Sequence, residues 1–113
     1  MNAARRIAAH WLWTPQGLVR RPVVTLTAAG RPASVASCAE PDRLAATEFY
    51  AGLLIFDFPA AWAADFGSLR RCGRPLLELL REAVPAPDGC TVVLSGLDYA
   101  SFALTPQAQL RRL

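Results

Sequence analysis

The stretch that most restricts the fold is residues 49–58, Phe49-Tyr50-Ala51-Gly52-Leu53-Leu54-Ile55-Phe56-Asp57-Phe58. It is apolar almost throughout and rich in aromatic and branched side chains. Such a run favours a strand buried on both sides. Gly52 permits a bulge or a close backbone approach. Pro59 has no N–H to donate and ends strand pairing. Asp57 sits between Phe56 and Phe58. It reads as a strand-end carboxylate that reaches solvent or caps the following turn. The alternative is a buried ligand or general base, a role that perturbed carboxylates fill in active sites.

The rest of the chain supplies partners for that strand. Residues 5–13 read as a strand with Ile7, Ala9, Trp11 and Trp13 on one face and Ala8, His10 and Leu12 on the other. Thr14-Pro15-Gln16-Gly17 is a turn. Residues 18–27 form a second strand, with an edge or bulge at Pro22. Ala28-Ala29-Gly30-Arg31 is a hairpin connection, 32–38 a third strand, and Ala39 to Thr47 a polar loop. After Pro59, Ala60 to Phe66 suits a helical turn with Trp62 and Phe66 at i, i+4. Pro75 to Val84 is a helix with Leu76, Leu77, Leu79, Leu80, Ala83 and Val84 on a broad apolar face. Arg74, Glu78 and Arg81 pair along it. Pro85 stops this helix, and a loop leads to a strand over Cys90 to Ser95. Asp98, after Gly96-Leu97, is a turn residue.

At 113 residues the chain is expected to form one domain. Its hydrophobic share of 53% exceeds the usual and suggests a surface covered by another chain. All twelve basic residues are Arg. The pairs Arg5-Arg6, Arg20-Arg21, Arg70-Arg71 and Arg111-Arg112 are scattered instead of forming one patch, so nucleic-acid binding is not expected. Cys38, Cys72 and Cys90 are odd in number and lack metal-type spacing, which points to a reducing compartment, here the cytoplasm. Arg5-Arg6 with Ile7 to Trp13 makes a poor signal peptide. No stretch has the roughly 18 apolar residues of a membrane span. His10 with a Cys could in principle form a nucleophilic pair, but no local signature supports it. No glycine-rich phosphate loop is present. No cofactor and no metal are expected.

Glu48-Phe49-Tyr50-Ala51-Gly52-Leu53-Leu54-Ile55 and Phe58 resemble the segment that enters the barrel in the amidohydrolase superfamily, in its cytosine-deaminase and chlorohydrolase-like branch. The family continues with Pro-Gly-Phe-Val-Asn-Ala-His-x-His, whose histidines ligate metal. Here Phe56-Asp57 and Pro59-Ala60-Ala61 replace the intervening residues, and Trp62 and Ala64 occupy the histidine positions. Neither side chain can ligate a divalent metal. Thr91-Val92-Val93-Leu94-Ser95-Gly96-Leu97-Asp98, Phe102-Ala103-Leu104-Thr105-Pro106 and Leu110-Arg111-Arg112-Leu113 resemble the family's C-terminus. Leu76 to Arg81 is similar to its last helix. The resemblance covers about residues 5–58 and 91–113, the two halves of a composite β-sandwich. A (β/α)₈ barrel needs about 200 residues or more, so the catalytic barrel is expected to be absent.

These readings define a β-rich α+β fold: a small sandwich or curled sheet of about six strands with one main helix near 75–84, like the amidohydrolase composite domain. The resemblance implies a pseudoenzyme, a non-catalytic remnant acting through protein association, as a homodimer or with another chain. The expected interface is Trp11, Trp13, Phe56, Phe58, Trp62 and Phe66. These aromatics, together with Phe49 and Tyr50, leave an apolar surface for association or instead fill a one-domain core. The alternative function is small-molecule binding or hydrolysis in a pocket under the aromatic cluster near Trp62.

Overall fold

The apolar run forms most of a twelve-residue strand, β5 (Thr47–Phe58), at the centre of the sheet. The structure, a computed structural model, describes residues 5–27, 32–37, 47–87 and 89–113. Strand β1 (Arg5–Thr14) lies parallel to β5, with Leu12 opposite Leu54. The other strands are β2 (Gly17–Arg20), β3 (Pro22–Leu26), β4 (Pro32–Ser37), β6 (Cys90–Ser95) and β7 (Gln109–Arg112). Six strands run in the order β4-β3-β1-β5-β6-β7, and β2 adds to β1 beside β3. Every pairing except β1 with β5 is antiparallel. Helices α1 (Ala60–Ala64), α2 (Phe66–Arg71) and α3 (Leu76–Ala83) lie between β5 and β6 in sequence. The molecule is a small β-rich α+β domain built on one open sheet. The expected hairpin at 28–31, the loop over 39–46 and Cys38 fall outside the described residues.

The expected strand over 18–27 is two strands. Arg21 adopts φ 50°, a left-handed conformation uncommon for a side chain of its size. Pro22 follows as the first residue of β3, where its missing N–H costs no ladder bond. Both pieces still line one edge of β1, with Trp11 opposite Arg20 and Ala8 opposite Val23. The Arg21 N–H donates to the His10 carbonyl at 2.9 Å and bridges the break.

Alternation along β5 divides the core. Leu53 and Ile55 enter one cluster, and Leu54 enters the other with Phe56 packed against it. Trp11 and Trp13 follow Leu53 and Ile55, while Leu12 follows Leu54. Ile7 and Ala9 were expected on the Trp face but join Leu12 instead. Between Ala9 and Trp11 the ladder slips: β1 advances two residues while β5 advances three, from Tyr50 to Leu53. A register change of one residue moves side chains to the opposite face.

The first cluster is covered by helix residues. Leu76, Leu79 and Leu80 of α3 and Leu69 of α2 pack on Leu53, Ile55, Phe58, Val92 and Leu94. Helix α3 starts just after Pro75 and ends before Val84, close to the expected bounds. Arg74 reaches Glu78 at 3.8 Å and, more closely, Glu82 at 2.8 Å.

Asp65 separates α1 from α2 and caps the second. Its carboxylate accepts the Ser68 N–H at 3.3 Å and the Ser68 hydroxyl at 2.7 Å. These bonds hold its pKa below the ordinary Asp value, with Arg71 adding to the effect. A depressed carboxyl stabilises the fold above its unfolded pKa of about 4 and loses that effect as pH falls through the lower folded value. Asp65→Ala is therefore expected to lower the melting temperature by a few degrees at neutral pH. In circular-dichroism melts the gap from the native chain should close as the buffer becomes strongly acidic.

Candidate functional site

Asp57 was the candidate carboxylate, and its backbone explains its position. It adopts φ 57° at a second slip of the ladder, between Ile55 opposite Val92 and Phe58 opposite Cys90. Its carbonyl accepts the Ala86 N–H at 2.9 Å. A Cβ on Gly89 would collide with the Asp57 backbone, so the loop after α3 is clamped against the end of β5. Asp57 also lines a cleft of about 290 Å³ with Leu12, Trp13, Val35, Phe56 and Val84. Apart from Asp57, Thr14 and Gln16, the cleft's side chains are apolar. Among the described residues, no group of three or more His, Cys, Asp or Glu is placed to hold a metal ion.

The six aromatics singled out above are divided between the two faces. Phe58 is fully buried and Trp13 is buried in the same cluster. Trp11, Trp62 and Phe66 pack against that cluster, while Phe56 packs against the other. Trp62 meets Phe58 edge-on at 5.8 Å, and Trp11 meets Phe102 at 5.2 Å. Arg70 lies 5.8 Å from the Phe66 ring centre. Trp62 and Ala64, at the positions matching the metal ligands of the resembled family, lie on the short helix α1. Neither they nor Phe66 line the clefts described here.

The remaining candidates are dispersed. His10 is exposed, and its ring meets Phe49 edge-on at 5.2 Å. The Cys90 thiol donates to the Phe58 carbonyl at 3.6 Å, and Cys72 is exposed. Asp98 makes a turn, as expected: its carboxylate accepts the Ala100 N–H at 3.0 Å. Arg70 donates to the carbonyls of Pro106 and Ala108, and Arg20 stacks over Trp11. These guanidinium groups hold local structure.

Phe49 belongs to the aromatics weighed as surface or core, but not to the six expected at the interface. It is 55% exposed, the most exposed large hydrophobic residue described. It borders a second cleft, of about 350 Å³, with Tyr50, Val93, Ser95, Gln109 and Arg111. Arg111 lies 5.2 Å from the Tyr50 ring centre, and the Tyr50 hydroxyl donates to Glu48 at 3.2 Å. The sequence signal for Phe49 was its place at the start of β5, before the part that the helices cover.

No protein-family model matches the chain, and no curated protein or solved structure matches it. The amidohydrolase resemblance therefore rests only on the residues quoted for it. Among the described residues, no helix is long and apolar enough to cross a membrane.

Proposed function

We propose that this chain is a non-catalytic protein-association domain and that it forms a homodimer. The observation that carries this reading is Phe49, more than half exposed beside the exposed His10 on a central strand. Burying apolar surface contributes roughly 25 cal/mol per Å², so covering such a residue and its surroundings favours association. Homodimerisation is the simplest arrangement, because a two-fold axis places the same patch on both sides. The resemblance supports the non-catalytic half: Trp62 and Ala64 replace two metal ligands.

Light scattering over a wide concentration range tests the reading. The native chain is expected to show twice the monomer mass, and Phe49→Asp the monomer mass with an unchanged circular-dichroism spectrum. A native monomer at every concentration overturns the dimer, as does a dimer indifferent to Phe49→Asp. Hydrolytic turnover abolished by Asp57→Ala, or a divalent metal held at Asp57, overturns the non-catalytic half.

A further inference from the structure

The last strand exposes a defined set of backbone groups. Leu113 donates its N–H to the Thr91 carbonyl at 3.0 Å, continuing the register that pairs Arg112 with Val92 and Arg111 with Val93. In an antiparallel ladder, directly opposed residues alternate between bonded and non-bonded pairs. Thr91 with Leu113 is a bonded pair. Val93 with Arg111 and Ser95 with Gln109 are therefore bonded too. Leu110 and Arg112 point their N–H and C=O groups away from β6, along the free edge. Among the described residues, β7 ends the sheet and no strand lies beyond it.

The side chains beside that edge carry one sign of charge. Leu110 packs on the helix-side cluster, so Arg112, two residues on, extends on the same face and is exposed. Arg111 lies on the opposite face over Tyr50, at the wall of the 350 Å³ cleft. Glu48, bonded by the Tyr50 hydroxyl, sits on β5, away from the edge. An added strand thus meets a guanidinium on each face.

We infer that the β7 edge binds an extended acidic segment of another protein by strand addition. The outward groups of Leu110 and Arg112 supply main-chain hydrogen bonds, and Arg111 and Arg112 pair with carboxylates on neighbouring residues, one on each face. The cleft takes side chains projected to the Arg111 face. A second copy of β7 is a poorer occupant, because it would bring four guanidinium groups to one seam. The inference rests on the strand edge and its two guanidinium groups, so it stands whether or not Phe49 forms a dimer, although the cleft is shared with that residue.

A fluorescent extended peptide of Glu, Val and Thr, and its counterpart with Lys for Glu, provide the test by anisotropy. Both are titrated into the native chain, with light scattering run in parallel on the same samples, so failure of the dimer reading leaves this measurement intact. The acidic peptide is expected to bind at least about tenfold more tightly than the basic one, and less tightly as salt rises. Arg112→Gln removes a charge but keeps the outward N–H, whereas Arg112→Pro removes both. The proline variant is expected to bind roughly tenfold more weakly than the glutamine variant. Amide shifts on peptide addition should be largest at Leu110 and Arg112. Equal binding of the two peptides overturns the inference, as does equal binding by the two variants. It is also overturned if Arg112→Pro dissociates the native dimer while leaving peptide binding unchanged, since a second copy then holds the edge.

Discussion

Phe58→Ala is expected to destabilise the domain by about 3–5 kcal/mol. Phe58 has no solvent exposure and fills the space between β5, β6 and the helix layer, with Trp62 edge-on against it. Removing the ring leaves a cavity that the neighbours close only in part, because Leu80, Val92 and Leu94 are themselves fully buried. Domains of this size have a total stability of about 5–15 kcal/mol, so the variant should sit near the edge of folding. Urea denaturation followed by tryptophan fluorescence gives the cost directly. The midpoint should fall sharply with little change in slope. A cost below about 1 kcal/mol would mean that the helix layer does not close over this residue.

Gly52→Ala is the second large effect, and its cause is different. Gly52 adopts φ 135°, which side-chain-bearing residues rarely occupy. A Cβ there would also come far inside the van der Waals contact distance of the Leu94 carbonyl oxygen. That carbonyl faces β5, so the methyl group would wedge the two central antiparallel strands apart. Backbone strain of about 1–2 kcal/mol adds to overpacking of about 1–3 kcal/mol. Hydrogen exchange should locate the damage: protection should fall along β5 and β6 and survive in the β1–β2 hairpin. Uniform loss across the sheet would mean that the variant unfolds as a whole.

The parts of the fold legible in the sequence were those with a strong local period. The run at 49–58 reads as a strand, and it makes up most of β5, buried from Gly52 to Ile55 and at Phe58 while Phe49 and Ala51 are exposed. Helix α3 carries its leucines at helical spacing between two prolines. The break at Arg21 was only partly legible, since Pro22 marks an irregularity without saying that the preceding residue turns left-handed. The change of face along β1 was not legible at all. It depends on how β1 meets a strand distant in sequence. Strand β7 escaped the pattern reading because Gln-Leu-Arg-Arg is nearly all polar, as suits an edge.

The candidate site was harder to read, for a related reason. Aromatic content alone does not distinguish a side chain that fills a core from one offered to a partner. Trp13 and Phe58 lie in the core, whereas Phe49 in the same apolar neighbourhood is exposed. The difference lies in where the helix layer stops. Asp57 shows the same limit: its neighbours in sequence suggested chemistry or capping, and its carbonyl and φ angle make it part of a backbone clamp.

The parallel pairing of β1 with β5 sets the order in which this chain can assemble. Ile7 lies opposite Glu48, about forty residues away, and the ladder between them forms the middle of the sheet. The hairpin of β1 with β2 closes over a few residues and can form in microseconds. The central ladder must first close a long loop, whose entropic cost is met before any contact across it contributes. Mixed topologies of this kind fold more slowly than helical bundles of equal stability. Until that closure, β1 and its hairpin partner expose the apolar edge that β5 will cover, and the nascent chain is most vulnerable to aggregation in that interval.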